Sequence, residues 1–355
     1  MTPKRRLGVR ALLLVMGAAL VTPASAAPSR RVSLVAVGDI MLDRGVARAI
    51  QKNGTASILA RVRDRLRRAD ITFGNLESPL SSRGAHSPTD CIFRAHPSAV
   101  KVLVDGGFDI VSVANNHIMN SGRQTFLDTL DVLARSGVRY VGARPQKNIS
   151  WWPVHLQAGG LTIGFMAFTD LSFEDGSYSK VGQDLAKFAA KIRTVARKVD
   201  LLVVSFHWGE EYRPVPTLRQ RQVARAAIEA GAGLVLGHHP HVLEGMTALQ
   251  GAPILYSMGN FVFDQRQGER MESAVFELDY AEGRGWSVTA IPVIIPASRF
   301  GPEYPPPDRA HKIARRLVEL SVKVGAYPTL TKDNTVVLRV APRSSGVAMP
   351  QRSNR

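Results

Sequence analysis

The first part of the chain alternates short apolar runs, rich in β-branched residues, with longer segments whose apolar residues recur at helical spacing. The apolar runs predict strands at 32–37, 71–73, 108–113, 138–141, 154–156, 161–168, 201–206 and 234–236. The helical spacing predicts helices at 56–68, 97–106, 123–136, 184–198 and 217–230. This alternation is typical of an α/β protein.

The second part is richer in predicted strands, which lie at 254–256, 261–263, 274–278 and 287–295. We therefore expect one main domain over 31–300 with more than one sheet, layered as a sandwich. Prolines at 302 and 305–307 mark a boundary. A C-terminal extension with a helix and a strand is predicted over 301–341, and a disordered tail over 342–355.

The N-terminal segment 1–26 has the pattern of a signal peptide. Basic residues Lys4, Arg5, Arg6 and Arg10 precede the apolar stretch Ala11–Val21, and a small-residue motif ends at Ala26. The alternative is an uncleaved membrane anchor, for which the apolar stretch is short. We expect an exported protein, periplasmic or extracellular, cleaved near Ala26, and the Arg5-Arg6 pair leaves a twin-arginine route open.

Composition narrows the class of protein. The chain has 355 residues, of which 45% are hydrophobic, so it can bury a core and is not expected to be disordered. A single cysteine, Cys91, excludes a disulfide scaffold and a cysteine-based zinc site. We expect Cys91 to be either buried or spare, that is, an unpaired thiol without a role. No apolar run reaches membrane-spanning length, so contact with a membrane is expected to be peripheral.

The net charge is strongly positive, at +17, and cleavage at Ala26 would leave +13. Five arginines crowd the predicted helix 56–68, and its apolar residues keep helical spacing, so the arginines form its exposed face. That face is either simply solvated or attracts an anionic polymer or lipid surface. Nucleic acid is not an expected partner, because no aromatic residues interleave with these arginines.

Polar residues with metal-binding or acid–base chemistry fall where the predicted strands end: Asp39, Asn75, Glu77, Asn116, His117, His207, His239 and His241. The loops at the carboxyl ends of strands in α/β sheets converge on one crevice, so these side chains are expected to meet. Each has an alternative when taken alone. Asp39 could cap a turn, Glu77 could be a surface acid, and His207 could be a core histidine.

The strongest local signal is Gly237-His238-His239-Pro240-His241. In an extended segment, residues two apart point the same way, so His239 and His241 are expected to face one cation and His238 to face away. The donors together are nitrogen and oxygen, without thiolate. Such a set predicts one or two divalent ions, of Mn, Fe or Zn, and two ions could share a carboxylate.

Six motifs together resemble the bacterial capsule-synthesis CapA family, which acts in poly-γ-glutamate synthesis and is similar to calcineurin-like metallophosphoesterases. They are VAVGDIML, ITFGNLESPL, FDIVSVANNH, SFHWGEEY, GHHPHVLEG and YSMGNFVFD, and the resemblance covers roughly residues 32–300. The resemblance implies a four-layer α/β/β/α sandwich, metallophosphatase-like, with a two-metal site between strand ends.

The resemblance also implies roles for individual residues. Implied metal ligands are Asp39, Glu77, Asn116, His207, His239 and His241. His117 is the implied general acid or transition-state stabiliser, and Asn75, Asn115, His238 and Asn260 are further motif residues. Two positions depart from the phosphoesterase pattern: Met41 stands where those enzymes have a histidine, and Glu77 where they have an aspartate. A thioether is a weak ligand for these cations, so one metal position lacks a ligand.

Two functions remain open from the sequence. The first is a metal-dependent hydrolase that cleaves a phosphoester or amide bond of a cell-envelope or capsule polymer. The second is a non-catalytic accessory protein that binds the anionic polymer or a membrane-bound polymer synthase. Met41 favours the accessory protein, and the retained imidazoles of His117, His207, His239 and His241 favour the hydrolase.

Overall fold

The computed structural model describes residues 30–84, 91–146, 151–171 and 179–343. The predicted signal peptide and all but two residues of the predicted disordered tail lie outside these residues. Among the described helices, none combines the length and the apolar character that crossing a bilayer requires.

The described strands, in chain order, are β1 (Arg31–Ile40), β2 (Ile71–Leu76), β3 (Ile110–Ser112), β4 (Arg139–Val141), β5 (Val154–Ala158), β6 (Leu161–Thr169), β7 (Leu201–His207), β8 (Leu234–His238), β9 (Met246–Leu249), β10 (Ala252–Leu255), β11 (Asn260–Val262), β12 (Glu272–Ala281), β13 (Gly285–Ile294), β14 (Thr329–Leu330) and β15 (Val336–Val340). The α-helices are α1 (Arg44–Asn53), α2 (Arg63–Leu66), α3 (Val100–Gly106), α4 (Arg123–Ser136), α5 (Leu185–Ala196), α6 (Leu218–Glu229) and α7 (Pro307–Val322).

The strands form two sheets. The first has the order β14-β15-β13-β12-β1-β2-β3-β4, with β11 beside the end of β1. The second has the order β5-β6-β7-β8-β10-β9. Neighbouring strands β1 to β4 run parallel in the first sheet, and β6 to β8 run parallel in the second. The carboxyl ends of these strands can therefore present side chains at one edge of each sheet.

Three apolar clusters separate the layers. Along β1, Val35 and Val37 pack outward with helices α1 to α4, whereas Leu34 and Ala36 pack inward between the two sheets. This is the two-residue period of a strand, here buried on both faces. A third cluster joins the second sheet to α5 and α6. The layers confirm the predicted four-layer α/β/β/α sandwich.

The predicted helix 56–68 is wrong as a continuous element. The segment forms a 3-10 turn at Thr55–Ser57 and only four α-helical residues, Arg63–Leu66. Ile58, Leu59 and Leu66 are nevertheless buried, because two short turns can bury the same face that one helix would. The apolar spacing therefore identified the buried face but not the continuity of the backbone.

Helix α1 and strands β9 and β14 were not predicted from the sequence. Helix α1 begins after Asp43, whose side chain accepts from the Arg44 backbone N–H as an N-cap. Strand β9 pairs antiparallel with β10. Cys91 is a free, exposed thiol, so it is spare and not buried.

The C-terminal segment continues the first sheet. Strand β15 pairs with β13 along five residue pairs, and α7 places Ile313, Ala314 and Leu317 in the cluster between the sheets. The domain boundary at residue 300 stays a prediction.

Candidate metal centre

Five strand ends, those of β1, β2, β3, β7 and β8, deliver the predicted site residues to one place. Asp39 lies near the end of β1, directly beside Asn75 of β2 in the strand register. His207 ends β7 beside His238, which ends β8. Asp39 comes from the first sheet and the histidines from the second, so the site lies where the ends of the two sheets meet.

The centre of the site is a buried carboxylate oxygen. Glu77 is 0% exposed, and its Oε1 atom has no hydrogen-bond partner among the described residues. Three imidazole Nε2 atoms surround this oxygen, from His117 at 3.8 Å, His207 at 3.7 Å and His241 at 3.8 Å. A buried oxygen without a hydrogen bond is costly, and a cation would satisfy it.

Metal-ligating atoms cluster in three overlapping groups in the described part of the chain. Within each group the ligand atoms lie within 4.8 Å of one another, and the groups are Glu77 with His207 and His239, Glu211 with His239 and His241, and Asp39 with Glu77 and His241. His239 and His241 share a group, as their spacing predicted. The sequence analysis missed Glu211, although it follows His207 by four residues in the motif SFHWGEEY.

Asp39 is held by three neighbours. Asn75 Nδ2 donates to its Oδ1 at 2.9 Å, the His239 backbone N–H donates to its Oδ2 at 3.2 Å, and His238 Nδ1 lies 3.2 Å from Oδ1. Burial raises the pKa of Asp39, but the hydrogen bond and charge interaction with His238 outweigh it, so the pKa is lower than usual. A carboxylate in this setting is ionised and oriented.

The extended geometry expected for the histidine motif is wrong. His239 and His241 have φ of 97° and 59°, which are left-handed and not extended values. Strand β8 has already ended at His238, and a turn carries the next residues. His238 belongs to none of the three ligand groups, as predicted, but it contacts Asp39 from within the core and does not point into open space.

Hydrogen bonds to side-chain amides orient two of the imidazoles. His241 Nδ1 lies 2.8 Å from Asn260 Oδ1, and His117 Nδ1 lies 2.9 Å from Asn120 Oδ1. An amide oxygen accepts, so each Nδ1 carries the proton and each Nε2 keeps its lone pair toward Glu77. This contact gives Asn260 a structural role that the sequence could not assign.

The two asparagines before His117 make different contacts. Asn116 Oδ1 lies 2.8 Å from His207 Nε2, and Asn116 Nδ2 lies 3.1 Å from His117 Nε2, so this side chain sits among the ligands. Asn115 instead donates to Asn75 Oδ1 at 3.1 Å and accepts from the His117 backbone N–H at 3.1 Å. Asn115 therefore positions the loop.

Burial controls the protonation of the site. Burial lowers the pKa of His117 and of His239 to about 4, and that of His207 well below its ordinary value. Burial, followed by the charge of Asp39, raises the pKa of Glu77 well above its ordinary value. Neutral imidazoles are the form that binds a metal, and the two buried carboxyls repel unless a cation or a proton lies between them.

Met41 does not belong to the site. Its side chain is fully buried in the cluster between the first sheet and its helices, and its sulfur accepts from the Asp43 backbone N–H at 3.0 Å. The departure noted in the sequence is therefore real, because the thioether faces the core. The remaining nitrogen and oxygen donors, with the unpaired Glu77 oxygen, fit a divalent cation.

Comparison with known proteins shows that the chain is similar to capsule biosynthesis proteins. PGA biosynthesis protein CapA of Bacillus subtilis is 37% identical over 253 residues, which are 68% of this chain and 66% of that protein. Capsule biosynthesis protein CapA of Bacillus anthracis is 32% identical over 274 residues, which are 72% of this chain and 66% of that protein. The chain thus spans slightly less than two thirds of these relatives.

A solved structure shares the fold. It is described as a novel phosphatase from Mycoplasma pneumoniae, with 13% identity and a TM-score of 0.50, covering 78% of this chain and 96% of that one. The family described as bacterial capsule synthesis protein PGA_cap matches residues 33–265, which include every predicted site residue. This confirms the family that the motifs predict: the chain belongs to the bacterial capsule synthesis proteins of the PGA_cap family, with a metallophosphatase-like fold.

Proposed function

We propose that the protein is a metal-dependent hydrolase that cleaves a phosphoester or amide bond of an anionic cell-envelope polymer, of the poly-γ-glutamate type. The observation that carries this proposal is the buried Glu77 Oε1 atom, which three imidazoles face at 3.7–3.8 Å. A protein that only binds a polymer has no need for so many inward-facing imidazoles.

The residues that would hold one or two divalent cations are Asp39, Glu77, Asn116, His207, His239 and His241. When bound, a divalent cation supplies Lewis-acid polarisation of the substrate and makes water a better nucleophile at neutral pH. The donor set favours Mn, Fe or Zn. Asn75, Asn115, His238 and Asn260 hold the ligands in place through the contacts described above.

We propose that His117 assists the leaving group as the protonated ring, because the neutral ring carries its proton on Nδ1 and has none on Nε2 to donate. Its side chain is 11% exposed, whereas those of Glu77 and His207 are 0% exposed, so it lies at the edge of the site where a substrate can reach it. The ring lies 4.2 Å from the Phe93 ring, and its Nδ1 is held by Asn120. These contacts fix its Nε2 atom toward the site.

A basic side chain at the rim of the site favours an anionic substrate. Arg270 places its guanidinium 4.1 Å from the centre of the Tyr212 ring, and that ring lies 6.1 Å from the ring of His241. Arg270 donates to Gln267 Oε1 at 3.1 Å, a neutral acceptor that leaves its charge available. The net charge of +13 after the proposed cleavage and the capsule-synthesis names of the relatives agree with a polyanion.

We also propose that the protein is exported, with cleavage near Ala26. The support is the pattern of basic residues, apolar stretch and small residues in the sequence. An envelope polymer would then be within reach.

Metal content and hydrolysis test the proposal together. The purified protein from residue 27 onward should hold one or two Mn, Fe or Zn ions per chain by elemental analysis. The double variant His239→Ala/His241→Ala should lose both the metal and the hydrolysis of generic phosphoesters or poly-γ-glutamate. His155→Ala, at an exposed position on β5, is the matched control and should keep both.

One observation favours the accessory function as a second candidate. Met41 faces the core, so one metal position lacks the imidazole that the phosphoesterases have. Metal-free wild type that binds poly-γ-glutamate as tightly as the metal-loaded protein, without hydrolysing it, would select this function. Such binding should weaken as salt rises, because it would depend on charge.

A further inference from the structure

Glu211 lies at the mouth of the metal centre, in a group that the family resemblance does not supply. One carboxylate oxygen of Glu211 and one ring nitrogen each of His239 and His241 lie within 4.8 Å of one another. Glu211 is exposed, whereas His239 and His241 are 6% and 3% exposed. His239 Nδ1 has no hydrogen-bond partner among the described residues. The group therefore combines buried nitrogen donors with an oxygen donor at the rim.

The loop that carries Glu211 is anchored on both sides. Trp208 is fully buried, and its Nε1 donates to the Tyr256 carbonyl at 2.8 Å. The Tyr212 backbone N–H donates to the Pro240 carbonyl at 2.8 Å, which ties the loop to the turn that carries His239 and His241. Glu211 lies between these two anchors, so its backbone is fixed relative to the histidines.

The inner group and the rim group differ in burial and share one histidine. The inner group, Glu77 with His207 and His239, is wholly buried and complete with three protein donors. His239 belongs to both groups, but a neutral imidazole binds one ion, so His239 stays with the inner ion. Glu211 would then supply a donor to a rim ion where Met41, which is turned into the core, supplies none.

We propose that Glu211 is a carboxylate ligand of a second, rim-side cation, which it holds together with His241 in place of the imidazole absent at position 41. His239 stays with the inner ion, and Glu77 is shared between the two ions. This inference rests on the proposed metal centre. Because Glu211 is exposed, the rim ion exchanges faster and binds more weakly than the inner ion. An oxygen donor in place of a nitrogen donor also shifts the preference of the rim position toward Mn, a harder ion than Zn.

The test is Mn²⁺ binding to Glu211→Gln, which keeps the size of the side chain and removes its charge. Equilibrium dialysis with elemental analysis should give two Mn²⁺ per chain for wild type and one for the variant, with the weaker site lost. Electron paramagnetic resonance should show a magnetically coupled pair in wild type and a single ion in the variant. Glu210→Gln, which removes the neighbouring carboxylate paired with Arg213, should keep both ions.

The outcomes separate this inference from the metal centre itself. If Glu211→Gln binds two ions as tightly as wild type, or loses both, Glu211 is not the rim ligand, while the metal centre stands. If wild type binds a single ion that the variant also keeps, there is no rim ion. If wild type binds no ion at all, the proposed function fails together with the inference. Because Glu211 is exposed, the metal-free variant should unfold at the temperature of metal-free wild type.

Discussion

Glu244 is a buried acid that lies three residues after His241 and outside the ligand groups. Its side chain accepts from Gln220 Nε2 at 2.8 Å through Oε2, and its Oε1 atom has no hydrogen-bond partner among the described residues. Burial raises its pKa to about 8, and the charges of Arg213 and Arg221 only partly oppose this. The folded protein therefore holds a proton here that the unfolded chain has lost at neutral pH.

This proton makes stability depend on pH. Between the ordinary pKa of 4.5 and the folded value of about 8, the folded state binds one more proton than the unfolded state. The contribution of this proton to the free energy of unfolding is complete below pH 4.5 and is lost as the pH rises toward 8. Glu244→Gln cannot bind this proton, so it lacks this pH dependence. The free energy of unfolding of the variant minus that of wild type should therefore rise by up to about 4 kcal/mol from pH 5 to pH 8.

Urea unfolding at pH 5, 6.5 and 8 would measure the difference. Glu229→Gln, at an exposed position on α6, is the control and should follow wild type at every pH. A difference between wild type and Glu244→Gln that stays constant across this range would contradict the prediction.

At the scale of elements, two strands of the site end with a close backbone approach. A Cβ atom on Gly237 of β8 would lie 1.9 Å from the Tyr256 carbonyl oxygen, and one on Gly38 of β1 would lie 1.8 Å from the Gly259 oxygen. The Asp39 backbone N–H donates to that same Gly259 oxygen at 2.9 Å. The chain between Tyr256 and Gly259 thus lies against the ends of both sheets, directly behind the ligands.

Gly237→Ala should therefore destabilise the fold by about 3 kcal/mol, because a backbone oxygen cannot move aside as a side chain can. Gly164→Ala, in β6 of the same sheet, is the matched control. Its Cβ would meet the Val199 side chain at 3.1 Å, which can shift, so we expect a cost below about 1 kcal/mol. Chemical denaturation of the two variants would compare them, and equal costs would show that the close approach does not matter.

The same elements explain how far the sequence could predict the structure. Strands buried on both faces leave continuous apolar runs, so β1, β7 and β8 could be located directly. Helix α1 could have been found from Asp43, an N-cap before apolar residues at helical spacing. The break in the predicted helix 56–68 could not have been found, because the apolar spacing indicates which face is buried and not whether the helix is continuous.

The residues of the candidate site were easier to predict from the sequence than their geometry. Strand ends converge by a general rule, which brought Asp39, Glu77 and His207 together. The left-handed turn at His239 could not be predicted, because residues other than glycine rarely adopt it, and here the bond from its N–H to Asp39 helps to hold it. Glu211 was missed because an exposed acid after a strand has no local signal until the turn beside it is known.

At the scale of the whole molecule, the inner ligands come from both sheets. Glu77 follows β2 in the first sheet, whereas His207 and His239 belong to the end of β7 and the turn after β8 in the second. An ion held by these three side chains would link the two layers where the apolar cluster between them reaches its edge. Metal binding should then stabilise the entire sandwich and not the loops alone, since separating the sheets would release the ion.

The expected result is a single unfolding transition whose midpoint temperature rises when metal is added. At a free Mn²⁺ concentration of one hundred times the dissociation constant, binding adds about 2.7 kcal/mol. For a chain of this size, that raises the unfolding temperature by roughly 4 °C. Scanning calorimetry of chelator-treated protein with and without Mn²⁺ would measure the shift. His207→Ala removes a ligand from the second sheet and should abolish most of the shift, whereas His155→Ala should keep all of it. An unchanged shift in His207→Ala would mean that His207 does not hold the ion, because the loss of a ligand must weaken binding and with it the shift. An unchanged shift in His207→Ala/His239→Ala would mean that the ion does not bridge the sheets, because no imidazole of the second sheet would then remain on it.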